Sequence, residues 1–180
     1  GTTGVDWTGM RVRRQLVEKF TDNPESWEGK TAKEIRAVAG DDRALFWGVD
    51  HSVSIGDNTM FEQGLATGKW NNRRSDGQPT NSTYEVDGDF FLLRAAEAYL
   101  NYAEADIRLN GTCSDKAKGY MDDIRARAHA AAHLTYSLED VLDERAREFY
   151  CEGYRRTDLI RFGQYGGNQA TYVWDGKKGT

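Results

Sequence analysis

The sequence predicts a mainly α-helical protein, with antiparallel helical hairpins in its second half and long irregular loops in its first. Three observations predict it. Apolar residues recur at steps of three and four beyond residue 89. Helix-opening caps and helix-closing glycines punctuate that same stretch. Residues 49–87, by contrast, show little periodicity and many Gly, Asn, Asp and Ser residues.

The elements follow in order. Val12, Leu16, Val17 and Phe20 are spaced for one short helix. Thr31-Ala-Lys-Glu34 is a capping box that opens another, which Gly40 closes. The stretch 49–87 is expected to be ordered loop with short strand pieces. Loops of that length are uncommon in compact domains unless they serve a function. The longest helix is expected over 89–109, with Phe90, Leu93, Glu97, Leu100, Glu104 and Ile107 on one face, ending at Asn110-Gly111. Ser114 caps the next, with Ala117, Met121, Ile124 and Ala128 turned inward. Ser137-Leu-Glu-Asp140 opens a third, which Gly153 ends, and a short fourth runs through Leu159 and Ile160. Close helix contact at Ala95, Ala96, Ala98, Ala103 and Ala105 fits tetratricopeptide-like hairpins, although the spacing obeys no clean repeat of about 34 residues. This divides the chain into a loop-rich segment with short helices (1–88), a helical scaffold (89–165) and a C-terminal loop (166–180), together one structural domain.

Charge patterning adds a prediction about the interior. Residues 144–163 read E-R-A-R-E-F-Y-C-E-G-Y-R-R-T-D-L-I-R-F-G, and Arg145 falls on the same stripe as Leu138, Leu142 and Phe149. A buried guanidinium needs carboxylates around it, because an unpaired buried charge costs several kcal/mol. Glu97 and Glu104, about 10.5 Å apart along the long helix, interrupt its apolar stripe and are the expected partners. The expected ion-pair network comprises Arg94, Glu97, Glu104, Arg145, Glu148, Glu152, Arg155, Asp158 and Arg161. Arginine partners lower a carboxylate pKa, whereas a catalytic acid needs a raised one, so this pattern favours a frame over a glycosidase pair.

Composition excludes several function classes. A net charge of −5 and a pI near 5.3 lack the basic face that nucleic acid demands. No apolar run approaches the roughly 20 residues that span a bilayer, and no signal or lipidation motif lies near Gly1. Cys113 and Cys151 have no metal-ligand spacing; free thiols are expected, with a disulfide between them left open. His129 and His133 sit four apart, but Ala130 stands where a zinc hydrolase carries glutamate. Asp41, Asp42, Asp50 and Asp57 lack calcium-loop spacing and suit turns. The sequons at Asn81 and Asn110 carry little weight, and no phosphate-cradling loop or nucleophile triad is present. No metal and no cofactor are expected.

The segments F-F-L-L-R-A-A-E-A-Y-L-N-Y-A-E-A (90–105), D-D-I-R-A-R-A (122–128), the 144–163 run and Y-V-W-D-G-K-K-G (172–179) resemble the SusD/RagB family. Weaker matches at W-T-G-M-R-V (7–12), G-D-D-R-A (40–44) and G-K-W-N (68–71) fall in the same order. The resemblance implies the C-terminal half of a longer outer-membrane lipoprotein at the extracellular face, without catalytic activity. It implies an oligosaccharide or polysaccharide ligand, delivery to a TonB-dependent SusC-like transporter, and membrane attachment through a lipid anchor carried outside this chain. Sugar rings lie flat on aromatic faces while their hydroxyls seek polar side chains. Trp7, Trp47 and Trp70, with Asn71 and Arg73 beside them, are therefore the candidate carbohydrate contacts. The bland alternative for each tryptophan is a loop anchored to the core. A protein-binding helical adaptor and a carbohydrate-active enzyme are the competing readings of function.

Overall fold

The computed structural model describes residues 9–70, 72, 74, 76–82 and 88–165. In chain order the described elements are β1 (Arg11–Val12), α1 (Arg14–Val17), a 3₁₀ turn (Pro24–Trp27), α2 (Ala32–Ala39), β2 (Phe46–Trp47) and β3 (Leu65–Thr67). Three longer helices, α3 (Ala95–Asn110), α4 (Asp115–Arg127) and α5 (Leu138–Phe149), and a short one, α6 (Arg155–Arg161), follow. The described residues are mostly helical, as expected, with long irregular connections in the first half. No helix among them is long and apolar enough to cross a membrane.

Local signals placed several helix ends. Thr31 and Glu34 make the capping box of α2, and Gly40 ends it in the left-handed conformation at φ 60°. Gly111, at φ 73°, ends α3 and returns its N–H to Ile107 O. The Ser114 and Ser137 hydroxyls each accept from a backbone N–H three residues on, and Asp140 completes a second box at the start of α5. Ala117, Met121, Ile124 and Ala128 are buried, as the spacing of α4 predicts.

Elsewhere tertiary contacts moved the boundaries. Val12 belongs to a strand and not to the first helix: β3 is the centre of a three-stranded antiparallel sheet, pairing Val12 with Leu65 and Phe46 with Thr67. The helix expected from residue 89 begins at Ala95. Its N-cap, Arg94, is extended at φ −132° and ψ 147°, because its guanidinium is held across the end of α5 by Glu148 and Glu152. Phe90 and Leu93 consequently lie outside the core, and the neighbouring Leu92 is 80% exposed and Leu93 85%. The third helix stops at Phe149, before Gly153, where Tyr150 turns to ψ 144°. Of the five alanines expected at helix contacts, only Ala103 is buried.

Two apolar clusters result. The first joins the sheet to the N-terminal helices through Val12, Val17, Trp27, Ile35, Phe46, Val53, Leu65 and Tyr150. Trp27, Phe20 and Phe46 pack ring against ring there, at centroid separations of 5.4 to 6.5 Å. The second lies among the longer helices, through Leu100, Ala103, Ile107, Met121, Ile124, Val141 and Phe149. Between the two runs a layer of charged side chains carried on α5.

Candidate functional site

Glu144, Glu148 and Glu152 follow one another at four-residue steps, so one face of α5 and its C-terminal turn presents three carboxylates. The cations that meet them come from five places, one of them α5 itself, where Arg147 pairs with Glu144 at 2.8 Å. Arg43, in the loop after α2, reaches Glu144 at 2.7 Å and Glu148 at 3.1 Å, and also binds Asp41 at 2.7 Å. Arg94 spans Glu148 at 2.7 Å and Glu152 at 2.9 Å. From α4, Arg125 pairs with Glu144 at 2.7 Å and Arg127 with Glu148 at 2.6 Å. Lys69, next to β3, donates to Glu152 and to the carbonyls of Glu148 and Tyr150.

Electrostatics follow from that arrangement. Burial alone would raise the Glu148 pKa. The hydrogen bond from Arg94 and the charges of Arg127 and Arg43 outweigh it and bring the carboxyl down to about 2. Lys69 is pulled below its ordinary value by burial, against its bond to Glu152. Burial also raises the Tyr150 phenol, whose hydroxyl donates to Arg43 O at 2.8 Å.

Arg43, Lys69, Arg94, Arg127, Glu148 and Glu152 floor an open cleft of about 370 Å³, near the low end of the range for ligand pockets of roughly 300–1,000 Å³. Trp70 and Phe91 form its aromatic side. Their rings stack at 6.3 Å and 27°, and Phe90 stacks on Trp70 at 6.4 Å. Trp70 Nε1 donates to Cys151 O at 3.2 Å, which fixes the indole while leaving it 38% exposed. The cleft thus has an aromatic wall that is half open to water and a floor of ion pairs.

Sequence reasoning singled out Trp70, Arg94, Glu148 and Glu152, and all four line this cleft. Trp47 is exposed on β2 and is not among the lining residues. Trp7, Asn71 and Arg73 lie outside the described residues. Phe91, Lys69, Arg43 and Arg127 were missed as site residues. Lys69 and Phe91 adjoin residues already singled out, but Arg43 lies 105 positions from Glu148, and nothing local signals that pair.

The remaining charged residues form a second network, with a different wiring from the one expected. Arg145 is 3% exposed and pairs with Asp158 at 2.9 Å, not with an acid of α3; from α3 it takes Asn101 Oδ1 at 2.9 Å. Glu104 receives both arms of Arg161 at 2.8 Å and Arg108 at 2.9 Å. Those guanidinium bonds hold its carboxyl below the usual range against the opposing effect of burial. Glu97 makes no ion pair among the described residues and accepts from the Tyr154 hydroxyl at 2.9 Å. Arg155 donates to Leu142 O at 3.0 Å, and Arg161 also meets Asp158 at 2.9 Å. The two cysteines are free thiols. Among the described residues no group of three or more His, Cys, Asp or Glu is placed to hold a metal ion.

Comparison with known proteins places the chain among relatives. The SusD family model matches residues 7–179. The starch-binding protein SusD of Bacteroides thetaiotaomicron is 40% identical over an alignment of 210 positions, covering 99% of this chain and 37% of that protein. A SusD-like protein of Bacteroides ovatus is 33% identical over 76 positions, 42% of this chain and 14% of that one. Among solved structures, surface glycan-binding protein A from Bacteroides uniformis matches with a TM-score of 0.50 and 26% identity, over 71% of this chain and 28% of that one. The chain therefore spans little more than a third of the length of these relatives at most. With the model matching almost end to end and the helical architecture shared, the chain belongs to the SusD family.

Proposed function

We propose that this chain is part of a non-catalytic protein that binds oligosaccharide at a bacterial cell surface and delivers it to a TonB-dependent transporter of the SusC type. The names of two relatives, a starch-binding protein and a surface glycan-binding protein, support the ligand class. The observation in this structure that carries the reading is the Trp70–Phe91 wall, an aromatic surface open to water beside a polar cleft. Such a wall receives the C–H face of a sugar ring, and polar groups opposite receive its hydroxyls. Transporter delivery rests on family membership.

Catalysis is disfavoured by the sign of the electrostatics. Glu148 and Glu104 are both held ionised by guanidinium groups, whereas a general acid has to keep its proton near neutral pH. Isothermal titration calorimetry against plant and host glycans tests the reading. Heat with at least one glycan is expected, together with at least a fivefold loss of affinity in Trp70→Ala at unchanged melting temperature. Silence with every glycan would point to a protein-binding adaptor. Shortened products after incubation would point to an enzyme.

A further inference from the structure

The cleft has an electrostatic polarity that a neutral glycan would not use. Five cationic side chains line it, Arg43, Lys69, Arg94, Arg127 and Arg147, against the three carboxylates of Asp42, Glu148 and Glu152, in a chain whose net charge is −5. Arg127 is also the outermost of these cations, since the side chains of Arg43, Lys69, Arg94 and Arg147 are all 20% exposed or less. The Glu148 side chain is 2% exposed and that of Glu152 is 5%, while the Arg127 side chain is 59% exposed. Asp42, on the rim, is paired with Arg36 at 3.0 Å and shares a hydrogen bond with the His129 ring at 2.9 Å.

Donor use and exposure together single out one of these cations. Arg147, its side chain 15% exposed, already spends Nε on Lys19 O at 2.6 Å and Nη1 on Glu144 at 2.8 Å. Lys69 spends its ammonium on two carbonyls and a carboxylate. All three guanidinium nitrogens of Arg94 are engaged with Glu148 and Glu152. Arg43 is likewise bound through all three, to Asp41 and Glu148. Arg127 differs: Nη2 alone donates, to both oxygens of Glu148. Among the described residues its Nε and Nη1 donate to nothing. A guanidinium offers five N–H groups in a planar fork that suits a carboxylate bidentately. Glu148 thus anchors one arm of Arg127 and orients the others, while the cations behind it are paired with their own carboxylates, Asp41, Glu144, Glu148 and Glu152, and do not compete for the ligand.

We propose that the cleft recognises an acidic oligosaccharide, with one sugar ring against Trp70 and Phe91 and a uronate carboxylate on the free N–H groups of Arg127. This rests on the glycan-binding reading above and adds the charge of the substrate to it. Exposed charge pairs weaken with added salt, so the preference for the acidic sugar is ionic-strength dependent.

The test uses oligomers of galacturonate, glucuronate and mannuronate, each beside its methyl ester, which keeps the sugar and removes the charge. Neutral malto-oligosaccharides serve as a further arm. Calorimetry is run at about 20 mM and about 300 mM NaCl, where the screening length differs several-fold. At least one uronate oligomer should bind about tenfold tighter than its ester at low salt, with the ratio shrinking at high salt. In Arg127→Gln that ratio should fall towards one, and Arg127→Lys should recover part of it. Equal affinity for every acid and its ester, or binding of malto-oligosaccharides alone, overturns the acidic preference and leaves glycan binding standing. No binding of any sugar in either form overturns both. A salt-dependent preference untouched by Arg127→Gln places the anion elsewhere and overturns the assignment to Arg127.

Discussion

Arg145 is a buried cation of the helical half, 3% exposed. It lies over the Phe149 ring, 5.2 Å from its centroid, with Asp158 on one arm and Asn101 on another. Arg145→Ala would leave Asp158 buried with only the partly exposed Arg161 as counter-ion. The expected loss is about 3–5 kcal/mol in urea unfolding, the usual result of breaking a buried pair from one side. Arg145→Met, which keeps the packing, should behave no better, since the carboxylate rather than the void dominates. Glu148 gives a second test, through pH. Its folded pKa is depressed, so it binds fewer protons folded than unfolded, and stability falls as pH drops. Its contribution, on the order of 3 kcal/mol, is complete above about pH 5 and is lost as pH falls from there towards 2. Thermal melts over that window should show a shallower acid slope in Glu148→Gln than in the wild type.

At the scale of elements, what the sequence announced was what it encodes locally. The boxes at Thr31 and Ser137 and the left-handed stop at Gly111 are contained within a few consecutive residues, and each was legible. The start of α3 was not. Residues 90–94 have helical spacing, yet Arg94 is drawn out of the helix by acids more than fifty positions away, a contact with no local trace. The pairing of charges was misread for the same reason. An inward acid on α3 and an inward arginine on α5 were expected to meet. Glu104 and Arg145 are both buried but do not pair, and the carboxylates of Glu144, Glu148 and Glu152 are met by cations from α4, from α5 itself and from Arg43, Lys69 and Arg94. Trp70 could be picked out in the sequence, but its partner Phe91 could not, because the ring stack forms between segments that share no period. Gly48 offers an element-scale test. It is buried, exchanges backbone hydrogen bonds with Gly29 and Lys30, and a Cβ there would sit 2.0 Å from Trp27 O. Because the obstacle is backbone, Gly48→Ala should cost at least about 2 kcal/mol in thermal unfolding, as overpacking of a rigid site does. Gly119→Ala, in open space within α4, should be neutral or stabilising by up to about 1 kcal/mol.

At the scale of the molecule, Phe90-Phe91-Leu92-Leu93 is a run of four consecutive large apolar residues, all exposed. Contiguous exposed apolar area of this kind promotes association in water. Leu92→Glu with Leu93→Glu should lower binding of a hydrophobic dye and raise the concentration at which light scattering appears. The unfolding free energy should stay within about 0.5 kcal/mol of the parent, as for exposed sites generally. An unfolding loss above that margin would show that these leucines support the fold.

Phe149 and Tyr150 are neighbours in the chain, yet the first belongs to the cluster among the long helices and the second to the cluster around the sheet. One peptide bond thus joins a ring of each cluster, at the point where α5 ends. Melting either cluster therefore tugs directly on a ring of the other. The consequence is one shared cooperative transition, in which amides of α2 and of α5 are released to solvent exchange together.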